Sequence, residues 1–269
     1  MHESAQSELD ELNSLFLEDI SPLPVDSGRQ TAMRQALMGR AAASIAQKSG
    51  FLNVRARHGA WRTLKPGIRV KQLWRGLQGG SVLIEFAPGA SLPAHRHNWL
   101  EEGIVLSGDL QMAELQLGRL DYQVSPAGSR HAPIQSQQGA LAYLRGTSLG
   151  DTSGVLLEVL GGLLPFGKKN RSQTIYANEK DVWAPVTEGV FRKQLWSDGE
   201  RTSFFYRFQA GAKLHNLTHS LEQEYMVLEG DIFMDDALLR AGDYQLAPAG
   251  SKHDEIYSDV GATFFVRGA

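Results

Sequence analysis

The 269-residue sequence contains no cysteine. That absence removes disulfides, thiolate zinc sites, iron–sulfur clusters and a cysteine nucleophile at once, so a metal could be held only through nitrogen and oxygen. Net charge is also scarce. The 27 Lys and Arg against 30 Asp and Glu leave −3, which gives no broad cationic field to hold a phosphate backbone, and direct nucleic-acid binding is not expected. Long apolar runs are missing as well. The most apolar stretch, 155–166, carries Glu158 and two glycines and falls short of the roughly 20 residues that span a bilayer. The opening residues, MHESAQSELDEL, are acidic and polar, without the basic flank and apolar region of a secretory signal. The expectation is a cytoplasmic protein without a membrane segment. At 42% hydrophobic and 21% charged residues, the chain has ample material for a folded core.

What is present is a repeat. Residues 61–146 align with 183–268 at a constant offset of 122 without a gap, and 33 of the 86 positions are identical, including KQLW (71–74 and 193–196) and PAGS (126–129 and 248–251). Composition bias cannot give this, so the chain holds two copies of one module. The period is far longer than that of a solenoid unit, and each copy can have its own core. Within each copy, short β-branched and apolar runs end at Pro-Gly or Ser-Gly-Asp turns, the pattern of an all-β module. The expected organisation is a helical leader over 1–50, a first domain over 51–146, a connector over 147–182 and a second domain over 183–269. In the leader, Leu9, Leu12 and Phe16 give helical spacing over 7–19. SPLPV then breaks the pattern, and Met33, Leu37, Ala41 and Ile45 resume it over 27–48.

Six of the eight histidines lie inside the repeat. His95 and His97 are two apart, so on a strand they share a face. Glu101 has the parity of Gly103 and Val105 at the start of the next apolar run, whereas its neighbour Glu102 has the opposite parity and should point away. His131 follows a proline-glycine turn that can fold a later strand back beside the first. Three imidazoles and one carboxylate suit a divalent transition metal, one per chain: zinc, iron, manganese, nickel or copper, among which ligand softness alone does not choose. In the second copy the equivalent positions are Leu217, His219, Gln223 and His253. Without the carboxylate and one imidazole, metal binding there should be far weaker. A structural barrel with retained histidines is the plainer reading, and a shifted site of His215, His219 and His253 is the sharper one. Trp61, Trp74, Trp183 and Trp196 recur in register and read as packing residues, as do Tyr122 and Tyr244.

These residues carry a resemblance. Gly89, His95, His97, Glu101 and Gly108 match the first cupin motif, G-x5-HxH-x3-E-x6-G. Gly242, Pro248, Gly250 and His253 match the second, G-x5-PxG-x2-H. In the first copy Leu120 stands where that motif begins with glycine, while Pro126, Gly128 and His131 agree. The resemblance implies a mainly β protein of two tandem cupin domains, small jelly-roll-like barrels, with His95, His97, Glu101 and His131 as metal ligands. EEGIVLSGDL and SPAGSRHAP, after a helical leader, resemble more narrowly the cupin domains of ChrR-type anti-sigma regulators. Those regulators inhibit a sigma factor through an N-terminal zinc domain with His and Cys ligands. This chain departs there, with no cysteine and only His2 in its first fifty residues. The resemblance implies a metal-binding regulatory or sensor protein whose partner is a sigma factor or other regulatory protein, with a small-molecule ligand and homo-oligomer formation open. The alternative is a metal-dependent dioxygenase of the acetylacetone- or quercetin-cleaving kind.

Overall fold

A computed structural model describes residues 26–48, 50–149, 172–177 and 183–268, without the side chains of Ser44, Gln47 and His131. The helix expected over 7–19 lies outside these residues. The helix expected over 27–48 is present as Ser27–Lys48. Asp26 caps it, with Oδ2 accepting from the Arg29 amide at 3.1 Å, and its alanines, glutamines and methionines are strong helix formers. Met33, Leu37, Met38 and Ile45 on it are exposed.

The rest of the described chain is antiparallel β-structure that forms one compact unit from residue 50 onward. In the first barrel a seven-stranded sheet runs in the order Gln173–Ile175, Tyr122–Ser125, Glu101–Gly108, Ala140–Thr147, Gly79–Phe86, Ile68–Gly76 and Arg62–Lys65. A smaller sheet of Ser91–Leu92, Ile134–Gln135, Leu110–Met112 and Leu115–Leu117 faces it. The second barrel repeats the plan, and its long strand Gln223–Met234 takes part in both layers. Ile84, Val105 and Ala142 belong to the first interior, and Phe204, Tyr225 and Phe264 to the second.

The leading strands are exchanged. Leu52–Val54 precedes the first copy but pairs with Tyr244–Ala247 of the second. Gln173–Ile175, within the stretch read as a connector, pairs with Tyr122–Ser125 of the first. Each exchange is tied by an equivalent aspartate: Asp243 Oδ1 accepts from the Ala56 amide at 2.7 Å, and Asp121 Oδ1 from the Ala177 amide at 2.6 Å. Lys71 is wholly buried and donates to the carbonyls of Arg55 and Ala56 at 2.6 and 3.0 Å.

The two large sheets meet back to back across a third core, to which Leu73, Tyr122 and Tyr143 come from one copy and Phe205, Met226 and Phe265 from the other. Trp61, Trp74, Trp183 and Trp196 pack on its margin, so the recurring tryptophans do serve packing, between the barrels. Within this apolar layer sit two carboxylates. Glu102 accepts from Tyr122 Oη at 2.7 Å and from Ser203 Oγ of the opposite copy at 2.5 Å, with Arg267 Nε at 3.3 Å. Glu224 accepts from Tyr244, Tyr143 and Ser81 and pairs with Arg145 at 2.9 Å. Burial disfavours the charged form of Arg145, but Glu224 and Glu102 outweigh it and its pKa is raised. Burial, then the neighbouring carboxylate, holds the tyrosine hydroxyls of Tyr122, Tyr143 and Tyr244 well above their ordinary range, so they stay neutral donors.

Removing Glu224 leaves the Arg145 charge buried without its partner. Glu224→Ala should therefore lower stability by about 3–5 kcal/mol. Glu229→Ala, which breaks the exposed pair with Arg119, should lower it by less than about 1 kcal/mol. Thermal unfolding of the two variants beside the parent checks the contrast.

Candidate metal centre in the first barrel

The first motif places its residues by a short strand, a turn and a long strand. His95–Arg96 pairs with Arg130–His131, with His95 opposite His131. The backbone of His97 is clamped to the proline-glycine turn, its amide donating to Ser129 O at 3.0 Å and its carbonyl accepting from Gly128 N at 2.8 Å. This pairing is how the two motifs, thirty residues apart in sequence, come to one place. Gly108 closes the long strand with φ 78°. A side chain there would meet the Gly139 carbonyl oxygen at 1.9 Å, so glycine is required. Leu120 takes φ 68°, as Gly242 takes 87° in the second copy: the backbone keeps the motif's left-handed turn although the glycine is gone, at a conformational cost.

His95, His97 and Glu101 come together with donor atoms within 4.8 Å of one another, and His97 Nδ1 lies 3.6 Å from Glu101 Oε1. Among the described residues this is the one group of three or more metal-ligating side chains of this kind. His131 is brought opposite His95 by its backbone, while its side chain is outside the described part. His95 Nδ1 lies 3.1 Å from the Pro93 carbonyl oxygen, the bond that selects the tautomer with Nε2 as the lone-pair nitrogen. Burial lowers the pKa of His95 and outweighs the opposing pull of Glu101, which favours the neutral imidazole that a metal needs. Donors bound at about 2.1 Å to one ion would stand roughly 3–4 Å apart, a small contraction of what is seen. The donor set and spacing fit a divalent transition metal.

A cavity of about 70 Å³ adjoins these residues. His95 and Glu101 are among the residues that line it. Ile84, Leu92, Val105, Met112, Ala142 and Leu144 contribute to an apolar wall, Gln123 and Ser125 add polar atoms, and among the described residues no Lys or Arg lines it. Glu102 lies on the other face of the same strand, as its parity implied.

In the second copy His219 and His253 are fully buried with ring centroids 5.1 Å apart, but the shifted three-histidine site is not formed. Asn216 adopts φ 57°, which breaks the strand's alternation. His215 is left exposed beside Glu255 at 3.7 Å. Gln223 accepts from Tyr225 Oη at 2.6 Å. Sequence reasoning also passed over Asp235, whose Oδ2 lies 2.7 Å from His253 Nδ1. It sits on a turn outside both motifs, and the only signal for it was a departure from the repeat, since Ala113 occupies the position in the first copy.

The paired jelly rolls with a His-x-His and Glu cluster inside one of them define a cupin protein with two cupin domains. More particularly, residues 51–149 and 171–268 match the ChrR cupin-like domain, and the chain belongs to that family. Among solved structures it is similar to a candidate dioxygenase from Nostoc punctiforme (16% identity, TM-score 0.60, covering 81% of each chain). It is also similar to a Pseudomonas aeruginosa protein described as glyoxylate-induced (16%, 0.59, covering 81% of this chain and 88% of that one). A third likeness is to the oxalate decarboxylase of Lactobacillus farciminis (15%, 0.56, covering 80% and 85%). At such identities the likeness shows the fold alone. No curated protein matches the sequence.

The full-length protein should take up about one metal ion per chain, and His97→Ala should abolish this. His253→Ala should leave the stoichiometry unchanged. Elemental analysis after dialysis against each metal distinguishes them, and undiminished metal in His97→Ala would refute the assignment.

Proposed function

We propose that the first barrel is a metal-dependent catalytic centre of the cupin dioxygenase type, acting on a small, largely apolar molecule that reaches the metal through an oxygen. The observation that carries this is the largely apolar cavity that His95 and Glu101 help to line: a purely structural metal site is closed, whereas a catalytic one keeps a position open to substrate. His95, His97, Glu101 and His131 would hold the ion. A divalent metal supplies Lewis acidity there and, when redox-active, a route to oxygen chemistry. The Pro93 carbonyl fixes the His95 ring, and Glu101 brings the negative charge that offsets a dication. Gln123 and Ser125 offer hydrogen bonds to a polar substituent, and the aliphatic wall keeps water away.

The test is oxygen consumption by protein loaded with iron, manganese, nickel or zinc on a panel of small β-diketones. Turnover with at least one metal is expected. Ala142→Phe, which introduces the aromatic found at the equivalent Phe264, should reduce it roughly 100-fold by obstructing productive placement while metal content is retained. Absence of metal-dependent turnover on every substrate and metal would count against the catalytic reading.

A second reading follows from the helix Ser27–Lys48. It carries Arg29, Arg34, Arg40 and Lys48 and no acidic residue, and its large apolar side chains are exposed. A cytoplasmic regulator related to anti-sigma proteins would use such a face to engage an acidic, apolar-faced protein such as a sigma factor. Deleting residues 1–50 should then abolish capture of that partner and leave metal content intact. If catalysis is the function, the same deletion leaves turnover in place.

A further inference from the structure

We propose that the second barrel holds a separate, metal-free binding site for a planar aromatic carboxylate. The site is a cavity of about 250 Å³ at the interior of that barrel, large enough for a single-ring acid. Comparison of the two copies shows how it differs from the metal centre. Where the first has His95, Glu101, Gly103, Ala142 and Val70, the second has Leu217, Gln223, Tyr225, Phe264 and Arg192. Both a metal ligand and the anion have gone, two aromatic rings have replaced a glycine and an alanine, and a cation stands in place of a valine. All five second-copy residues line the cavity.

The arrangement suits a flat anion. Tyr206 and Phe264 stack at 5.6 Å with their planes 7° apart, and Tyr225 stands beside Phe264 at 6.2 Å, giving aromatic walls for a ring. The Arg192 guanidinium lies 5.0 Å from the centroid of Phe204. A guanidinium held against a ring face keeps its edge donors for a carboxylate, and none of the described residues lining the cavity is an Asp or Glu to compete. Gln223 is oriented by Tyr225 Oη, which donates to its Oε1, so its amide NH₂ is the end available as a further donor. A barrel kept only for its packing would have no use for a cation opening onto an aromatic cavity.

Calorimetry on the metal-stripped full-length protein, with benzoate as the probe, tests this. Saturable binding near one benzoate per chain is expected, weakened at least about tenfold in Arg192→Gln. Benzamide, of the same shape without the charge, and cyclohexanecarboxylate, of the same charge without the planarity, should each bind at least about tenfold more weakly. Ala142→Phe, which obstructs the first barrel's cavity, should leave benzoate affinity as it was. Arg192 is exposed, and circular dichroism verifies that its variant stays folded. No saturable binding up to roughly 10 mM, equal affinity for either control, parent-like affinity in Arg192→Gln, or loss of binding in Ala142→Phe would each overturn the proposal. These outcomes are independent of turnover in the first barrel.

Discussion

Two buried carboxylates organise the molecule. Glu102 and Glu224 each reach across the plane between the barrels to the serine and arginine of the opposite repeat, and each is steadied by the tyrosine of its own repeat. Charges removed from water are tolerated only where opposite charges or hydrogen bonds offset the loss of hydration, so the sheets can meet in few registers. The apolar layer around the carboxylates supplies attraction without direction, and the polar pairs supply the direction. Because Glu101 and Glu102 are adjacent on one strand, the residue that could bind metal and the residue that joins the barrels are aimed in opposite directions by the same backbone.

Much of this was legible in the sequence. The repeat announced two modules, and the spacing of His95, His97 and Glu101 announced their convergence, because a strand has a fixed period and the first motif is local. The alternation rule also separated Glu101 from Glu102. The same rule misplaced His215, since it assumes an unbroken strand and Asn216 is left-handed. The exchange of Leu52–Val54 and Gln173–Ile175 was hidden for another reason. Three-residue strands carry little pattern of their own, and their pairing partners lie far away in sequence. Asp235 and Arg192 were passed over because each is a departure from the repeat, and a search for shared residues discards departures.

Those departures mark where the copies took different courses. On the shared face the copies' polar contacts stay matched, serine for serine, arginine for arginine and tyrosine for tyrosine, while apolar neighbours vary, as with Leu83 against Phe205, Ile104 against Met226 and Tyr143 against Phe265. Their interiors do not match. Small side chains such as Gly103 and Ala142 leave space beside the candidate metal ligands in one barrel, whereas Tyr225 and Phe264 wall the other with aromatics. A side chain inside one barrel can change without affecting its neighbour. A side chain on the shared face touches both.

The crossed leading strands carry a consequence for ancestry. Two identical single-module chains, each lending its first strand to the other, would satisfy the same pairings about a two-fold axis, with one interface patch used twice. Joining them end to end preserves every such contact and removes the concentration dependence of assembly. It also removes the requirement that both interiors be encoded by one stretch of sequence. Fusion thus converts a symmetric pair, in which every substitution appears twice, into a chain in which one chamber can keep an inherited chemistry while the other is free to acquire its own.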